Sequence, residues 1–349
     1  MMAVDRRRIT VLGALGALVA ALLLLGLSLG PAPVGLADIL SGLLAVLGID
    51  TGDAGQGAAI VQAIRVPRAA LGLGVGAALG LSGAALQGLF RNPLVDPSLI
   101  GVSMGGALGA ACAIVLAAGA AGGAATGFLG AGLTTGAAFA GSFTALVLVL
   151  TIARREGALC VATLLLAGLA INALAAAGLG ALLFASDDAA MRAITFWTLG
   201  SLGGATWGSI LPALAAMGAA VALLLGQARS LDLYALGARE ARHLGCDTER
   251  LARRVVLAAA LGTGAAVAVS GLISFVGLLA PHMVRLMAGS GHRLVLPASA
   301  LLGAGLVLGA DLVARLAVSP AELPIGVVTG LVGAPVFLWL ILRNRAGGS

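Results

Sequence analysis

The feature that most limits what this chain can fold into is a block of charge, residues 230–254, set between two stretches that suit only a membrane interior. The block, SLDLYALGAREARHLGCDTERLARR, holds five Arg, four acidic residues and a His. Around it lie LPALAAMGAAVALLLG and VVLAAALGTGAAVAVSGLI. The block therefore forms an aqueous landing between two spans. Leu233, Leu236 and Leu244 fall near one helical face, which predicts a helix over 232–244 ended by a left-handed Gly245. Asp247 is placed to cap a second helix, with Glu249 in its first turn. Composition allows two uses for such a knob, a solvated loop that anchors its neighbours or a surface that docks a partner.

The rest of the chain has the same membrane character. With 349 residues, 60% of them hydrophobic and 10% charged, it is far too apolar for a soluble core. At about 20 apolar residues per crossing, eight to ten spans fit with short connections. The net charge of +6 does not point to nucleic acid, because the basic residues sit between apolar segments. All 20 of them are Arg. A phosphate-binding loop of the GxxxxGK type needs a Lys, so any ATP used with this chain is hydrolysed by another one. Cys112, Cys160 and Cys246, with His243, His282 and His292, show no metal-ligand spacing. No metal or cofactor is expected.

Reading along the chain, Arg6, Arg7 and Arg8 precede an apolar run at 9–29, an uncleaved first span. Leu36, Ile39, Leu40, Leu43, Leu44 and Leu47 suit a short interfacial helix. A second span at 69–90 carries Gly72, Gly76 and Gly80 on one face, a spacing that lets helices approach closely. Ser82 and Gln87 are polar in its inner half and face either a water-filled path or a packed helix. Further spans are expected at 100–120, 128–152, 158–183, 207–225, 255–271, 294–313 and 326–342, with a shorter one around Pro281, ten in all. A glycine and alanine tract at 117–127 is an outer connection. Sixteen Arg fall on one side and only Arg65, Arg68, Arg192 and Arg315 on the other, so the positive-inside rule puts both termini in the cytoplasm. The bland roles of the exceptions are a helical pair of Arg315 with Asp311 and interfacial snorkelling of Arg65 and Arg68. Ser82-Gly83 before Pro93 is echoed by Ser270-Gly271 before Pro281, a weak sign of an inverted repeat.

Taken together, RVPR at 65–68, SGAALQGLFRNPLVDPSLIGVSMGGALGA at 82–110, FWTLGSL, LGAREARHLG, SGLISFVGLLAPHMVR, HRLVLPASALLGA, ADLVAR and ELPIGVVTGLVGAPVF resemble the permease subunits of type II ATP-binding cassette importers for cobalamin, haem and ferric siderophores. The resemblance runs from about Arg65 to Leu342, and its look is nearest to the haem branch. It implies a single all-α transmembrane domain over 1–349, about ten helices per protomer, in a homodimer in the bacterial inner membrane. Two cytoplasmic ATP-binding subunits and a periplasmic substrate-binding protein are the implied partners. The landing would then be the coupling element, with Asp232, Leu236, Gly237, Ala241, Leu244 and Gly245 meeting the ATPase. Arg65, Arg68 and Arg315 would receive the binding protein, and Asn92 and Leu94 would belong to a cytoplasmic gate. Ser82 and Gln87 are the candidates for the path. The implied activity is haem import without covalent chemistry, or import of a ferric siderophore or cobalamin. A secondary transporter would need ionisable sites deep in its spans, and an intramembrane enzyme a nucleophile with a base or metal; neither set is evident.

Overall fold

The computed structural model describes residues 2–49, 55–119, 128–155 and 158–346. Among the described residues the regular elements are helical apart from one pair of two-residue strands, in which β1 (Arg154–Arg155) pairs antiparallel with β2 (Ala158–Leu159). Helix α1 covers Met2–Ser28 and α2 covers Leu36–Val46. Helix α3 (Gln56–Ile60) passes through a π turn at Val61–Arg65 into α4 (Val66–Phe90). Pro67 explains the widened turn: it has no N–H to give the preceding turn, so the α-type ladder is broken there. The second span therefore begins well before residue 69.

After α4 come a single 3-10 turn at Pro97–Ile100, α5 (Val102–Gly119), α6 (Phe128–Ala153), α7 (Val161–Ala185), α8 (Asp188–Thr198) and α9 (Trp207–Leu225). The landing forms α10 (Ala228–Ala235) and α11 (Ala238–His243). Then follow α12 (Thr248–Ser270), α13 (Val276–Ala288), α14 (His292–Leu316) and α15 (Ile325–Ala346). Among the described residues eight helices are long and apolar enough to cross a membrane, and the shorter α13 and the apolar part of α15 bring the bundle to about ten. The tract expected at 117–127 lies outside the described residues from 120 onward, as does Glu156.

Helices α4, α12 and α14 form the buried centre and α1 runs along the outside. In lipid, apolar side chains gain little by leaving one hydrocarbon for another, so close packing has to hold helices together. The glycine stripe of α4 does this: a Cβ on Gly76 would strike the Gly303 carbonyl of α14, and one on Gly303 would strike the Gly76 carbonyl. Outward-facing Leu166, Leu169, Leu174 and Phe184 of α7 are the opposite case, large apolar side chains left exposed for lipid or another chain.

Residues 91–101 double back along α4. Gly277 has both Pro97 and the Leu79 carbonyl against it, and Gly83 abuts the Gly277 carbonyl, so Pro97 lies roughly 10 Å back along α4 from its end at Phe90. The helix after this break, α5, starts beyond a left-handed Gly101 (φ 87°), and α13 starts beyond a left-handed Phe275 (φ 67°). A long helix, a break with positive φ and a shorter helix thus occur twice. The prolines that hinted at a repeat are not equivalent: Pro93 lies in the turn, whereas Pro281 is inside α13.

Candidate functional site

At one end of the bundle the landing is a backed platform. Leu231, Tyr234 and Ala241 are buried beneath it, while Leu236 and Leu244 are 64% and 58% exposed. The helix expected over 232–244 is two helices, because Gly237 has φ 132° and ψ 146°, a conformation open to little but glycine. Gly245 does end α11 in the left-handed region (φ 82°), and the Asp247 Oδ1 accepts from the Arg250 N–H at 2.9 Å. What Asp247 opens is the spanning helix α12 itself and not a separate short helix, since the apolar residues continue to Ser270 without a break. The corner of the knob is therefore Gly237.

Two contacts tie this platform to the bundle. The Asp232 Oδ1 accepts from the backbone N–H of His292 at 2.7 Å and lies 2.9 Å from its Nδ1. The Arg91 guanidinium sits over the Tyr234 ring, 5.4 Å from its centre, a contact worth about 0.5–1 kcal/mol at an exposed site. Arg91 itself is left-handed (φ 50°) and ends α4. Beyond it the Asn92 Oδ1 accepts from the Leu94 N–H at 2.9 Å, holding an exposed turn with Leu94 at its tip. The candidate gate residues and the landing thus share one end of the molecule.

Ser82 and Gln87 are in packed protein, the second of the two surroundings that the sequence allowed. Ser82 is fully buried, with its Oγ 3.4 Å from the Ala259 carbonyl of α12. Gln87 donates to the Val95 carbonyl at 3.1 Å and accepts from Arg285, so it joins α4, the doubled-back segment and α13. Neither borders the cleft of about 580 Å³ beside them. That cleft is lined by Asp96, Ser98, Ser103, Asn172, Thr263 and Ser274 among apolar neighbours. The Asp96 Oδ1 accepts from the Ser98 N–H at 2.8 Å. The Asn172 Oδ1 and Thr263 Oγ1 are buried with no protein partner. The doubled-back 91–101 segment, which sequence periodicity does not reveal, is what carries polar groups to this depth.

At the opposite end, Arg65, Arg68 and Arg315 are not free charges. Their exposures are 5%, 7% and 6%. Arg68 reaches Asp311 through Nε at 2.9 Å and holds Glu322 through both Nη atoms, also at 2.9 Å. Arg315 pairs with Asp311 across one helical turn at 3.1 Å and touches the carbonyls of Gly26 and Leu29 at 3.3 Å. Arg65 donates to the carbonyls of Leu27, Ser28 and Ala32. The reason is electrostatic. The unpaired carbonyls ending α1 carry negative partial charge and attract cations, and two carboxylates supply the rest. Glu322 had no role assigned from the sequence, although it opens the ELPIG stretch. Among the described residues no cluster of three or more His, Cys, Asp or Glu could hold a metal ion.

Residues 18–343 match the model of the FecCD transport family. The chain belongs to that family. It is 45% identical over 282 residues to the hemin transport system permease protein HmuU of Yersinia pestis, covering 81% of this chain and 83% of that protein. It is 42% identical to the cobalamin import system permease protein BtuC of Halobacterium salinarum, covering 82% of this chain and 74% of that one. A solved structure, described as an inward-facing conformation of a metal-chelate type ABC transporter, superposes with a TM-score of 0.82 at 30% identity, covering 96% of this chain and 99% of the other. As a FecCD member, the chain is a multi-span helical importer permease of the ATP-binding cassette type.

Proposed function

We propose that this chain is the membrane subunit of an importer that moves haem from the periplasm to the cytoplasm, working as a homodimer with two separate ATP-hydrolysing subunits. The observation that carries it is the landing, a platform with buried Tyr234 and Ala241 beneath exposed Leu236 and Leu244. Exposed leucines on a rigid base suit a protein groove better than water, and with no Lys in the chain the nucleotide chemistry belongs to whatever docks there. Asp232, Gly237 and Gly245 shape that platform. The excess of Arg at the landing end supports a cytoplasmic position for it and for both termini.

At the other end the substrate-binding protein docks. Arg65, Arg68 and Arg315 build this surface, and Arg68 can offer its charge to a partner carboxylate by exchanging it for Glu322, whose side chain is 39% exposed. Asn92 and Leu94 form the cytoplasmic gate. Substrate passes along the polar cleft at Asp96, Asn172 and Thr263, with Ser82 and Gln87 packed behind it.

Haem is favoured by the 45% identity to the hemin permease, against 42% and 40% to cobalamin permeases. The test is uptake by the reconstituted complex offered haem, a ferric siderophore and cobalamin in turn. Preference for haem supports the assignment, and preference for either of the others replaces it.

A further inference from the structure

We infer that Asp232 and His292 form a strut that carries motion of the α10–α11 platform into α14, so that His292 is a positioning residue for transport although it lies out of reach of any docked partner. This rests on the importer reading above. His292 is the first residue of α14, and the residue before it, Gly291, has no side chain to cap the helix. Asp232, arriving from α10, supplies that cap from another element: one carboxylate oxygen takes the His292 backbone N–H at 2.7 Å and faces the ring Nδ1 at 2.9 Å. Negative charge at a helix N-terminus is favourable, which strengthens the joint.

The ring end of the strut is wedged deep. His292 is 5% exposed, and its Nε2 is buried without a partner. A Cβ on Gly88 of α4 would fall on that nitrogen, so the imidazole fills the seam between α4 and α14. The ring thus meets Asp232 through Nδ1 and leaves Nε2 in the seam. Farther along the same seam, Gly76 and Gly303 bring the two helices into backbone contact. Helices packed so closely move together, and a push on the platform at Asp232 is therefore applied to the base of an α4–α14 pair.

The burial of His292 separates this role from docking, because a change there alters no surface that an ATPase could touch. The experiment uses the full chain assembled with its ATPase and binding protein, and reads assembly, ATP hydrolysis and haem taken up per ATP. An Asn amide can place an N–H where Nδ1 is, whereas a Gln amide mimics Nε2. We expect His292→Gln to assemble and hydrolyse ATP while uptake per ATP falls about tenfold. His292→Asn should keep most of the coupling. Equal uptake per ATP for folded His292→Asn and His292→Gln overturns the strut, and so does loss of assembly in step with loss of uptake. An unaltered complex that fails to assemble or transport would instead count against the importer reading.

Discussion

Arg68 and Glu322 meet as a fork on a fork, Nη1 on Oε1 and Nη2 on Oε2, each at 2.9 Å. The pair joins α4 to the segment between α14 and α15. Its two halves differ in exposure, with the Arg68 side chain at 9% and that of Glu322 at 39%. Arg68→Ala removes one of the two Arg partners of Asp311, a carboxylate that is 6% exposed, and losing a buried charged hydrogen bond in this way costs about 1.5–3 kcal/mol. Glu322→Gln removes a half-open partner and should cost about 1 kcal/mol or less. Unfolding of both variants in detergent checks the ranking, and equal losses would mean that Asp311 is held by Arg315 alone.

The same pair makes a prediction about docking. If a partner carboxylate displaces Glu322, then Glu322→Gln should speed association of the binding protein at low salt. The gain should shrink as salt rises, since the Debye length is about 8 Å at physiological ionic strength and shorter above it. Arg192→Glu, an exposed change on α8, is the control. Association rates that ignore Glu322 would leave Arg68 with a purely structural role.

Gly237 and Gly245 separate two kinds of strain. At Gly245 a Cβ would meet nothing within 4 Å, so a substitution is opposed only by the left-handed backbone, at roughly 1–2 kcal/mol. At Gly237 the backbone is unsuitable for any L side chain and the Cβ would also strike Glu240. Gly237→Val should therefore abolish ATP-driven uptake in a chain that still inserts, and Gly245→Ala should reduce it only in part. The reverse order would show that the corner of the platform is not at Gly237.

Gln87→Leu should lower thermal stability by about 2–3 kcal/mol, because it takes from the Arg285 guanidinium an acceptor that leucine cannot replace. Ser82→Ala, which loses one long hydrogen bond of 3.4 Å, should cost under about 1 kcal/mol. A change in transport with unchanged melting temperature for Gln87→Leu would return that residue to the path.

Periodicity and punctuation made much of this fold legible. Helix α9 was readable to the residue at 207–225, and α2 and α6 nearly so. The left-handed Gly245, the cap at Asp247 and the glycine stripe of α4 were equally plain, since each depends on neighbours in sequence. Partnerships across long separations were not. Arg68 with Glu322 and Asp232 with His292 join distant segments, and a lone His at a span end gives no sign of what it will meet. The burial of the outer arginines was not legible for the same reason: the α1 carbonyls that hold Arg65 and Arg315 come from packing, not pattern. The course of segment 91–101 was not legible, because its two prolines mark where a helix stops, not where the chain goes next.

The most direct measurement is haem uptake into vesicles holding this chain alone, and this chain with its ATPase and binding protein, with ATP supplied on the landing side. ATP hydrolysis and haem accumulation should appear together only in the full complex and only with ATP on that side. Haem accumulation by the chain alone, driven by an ion gradient and indifferent to ATP, would contradict it.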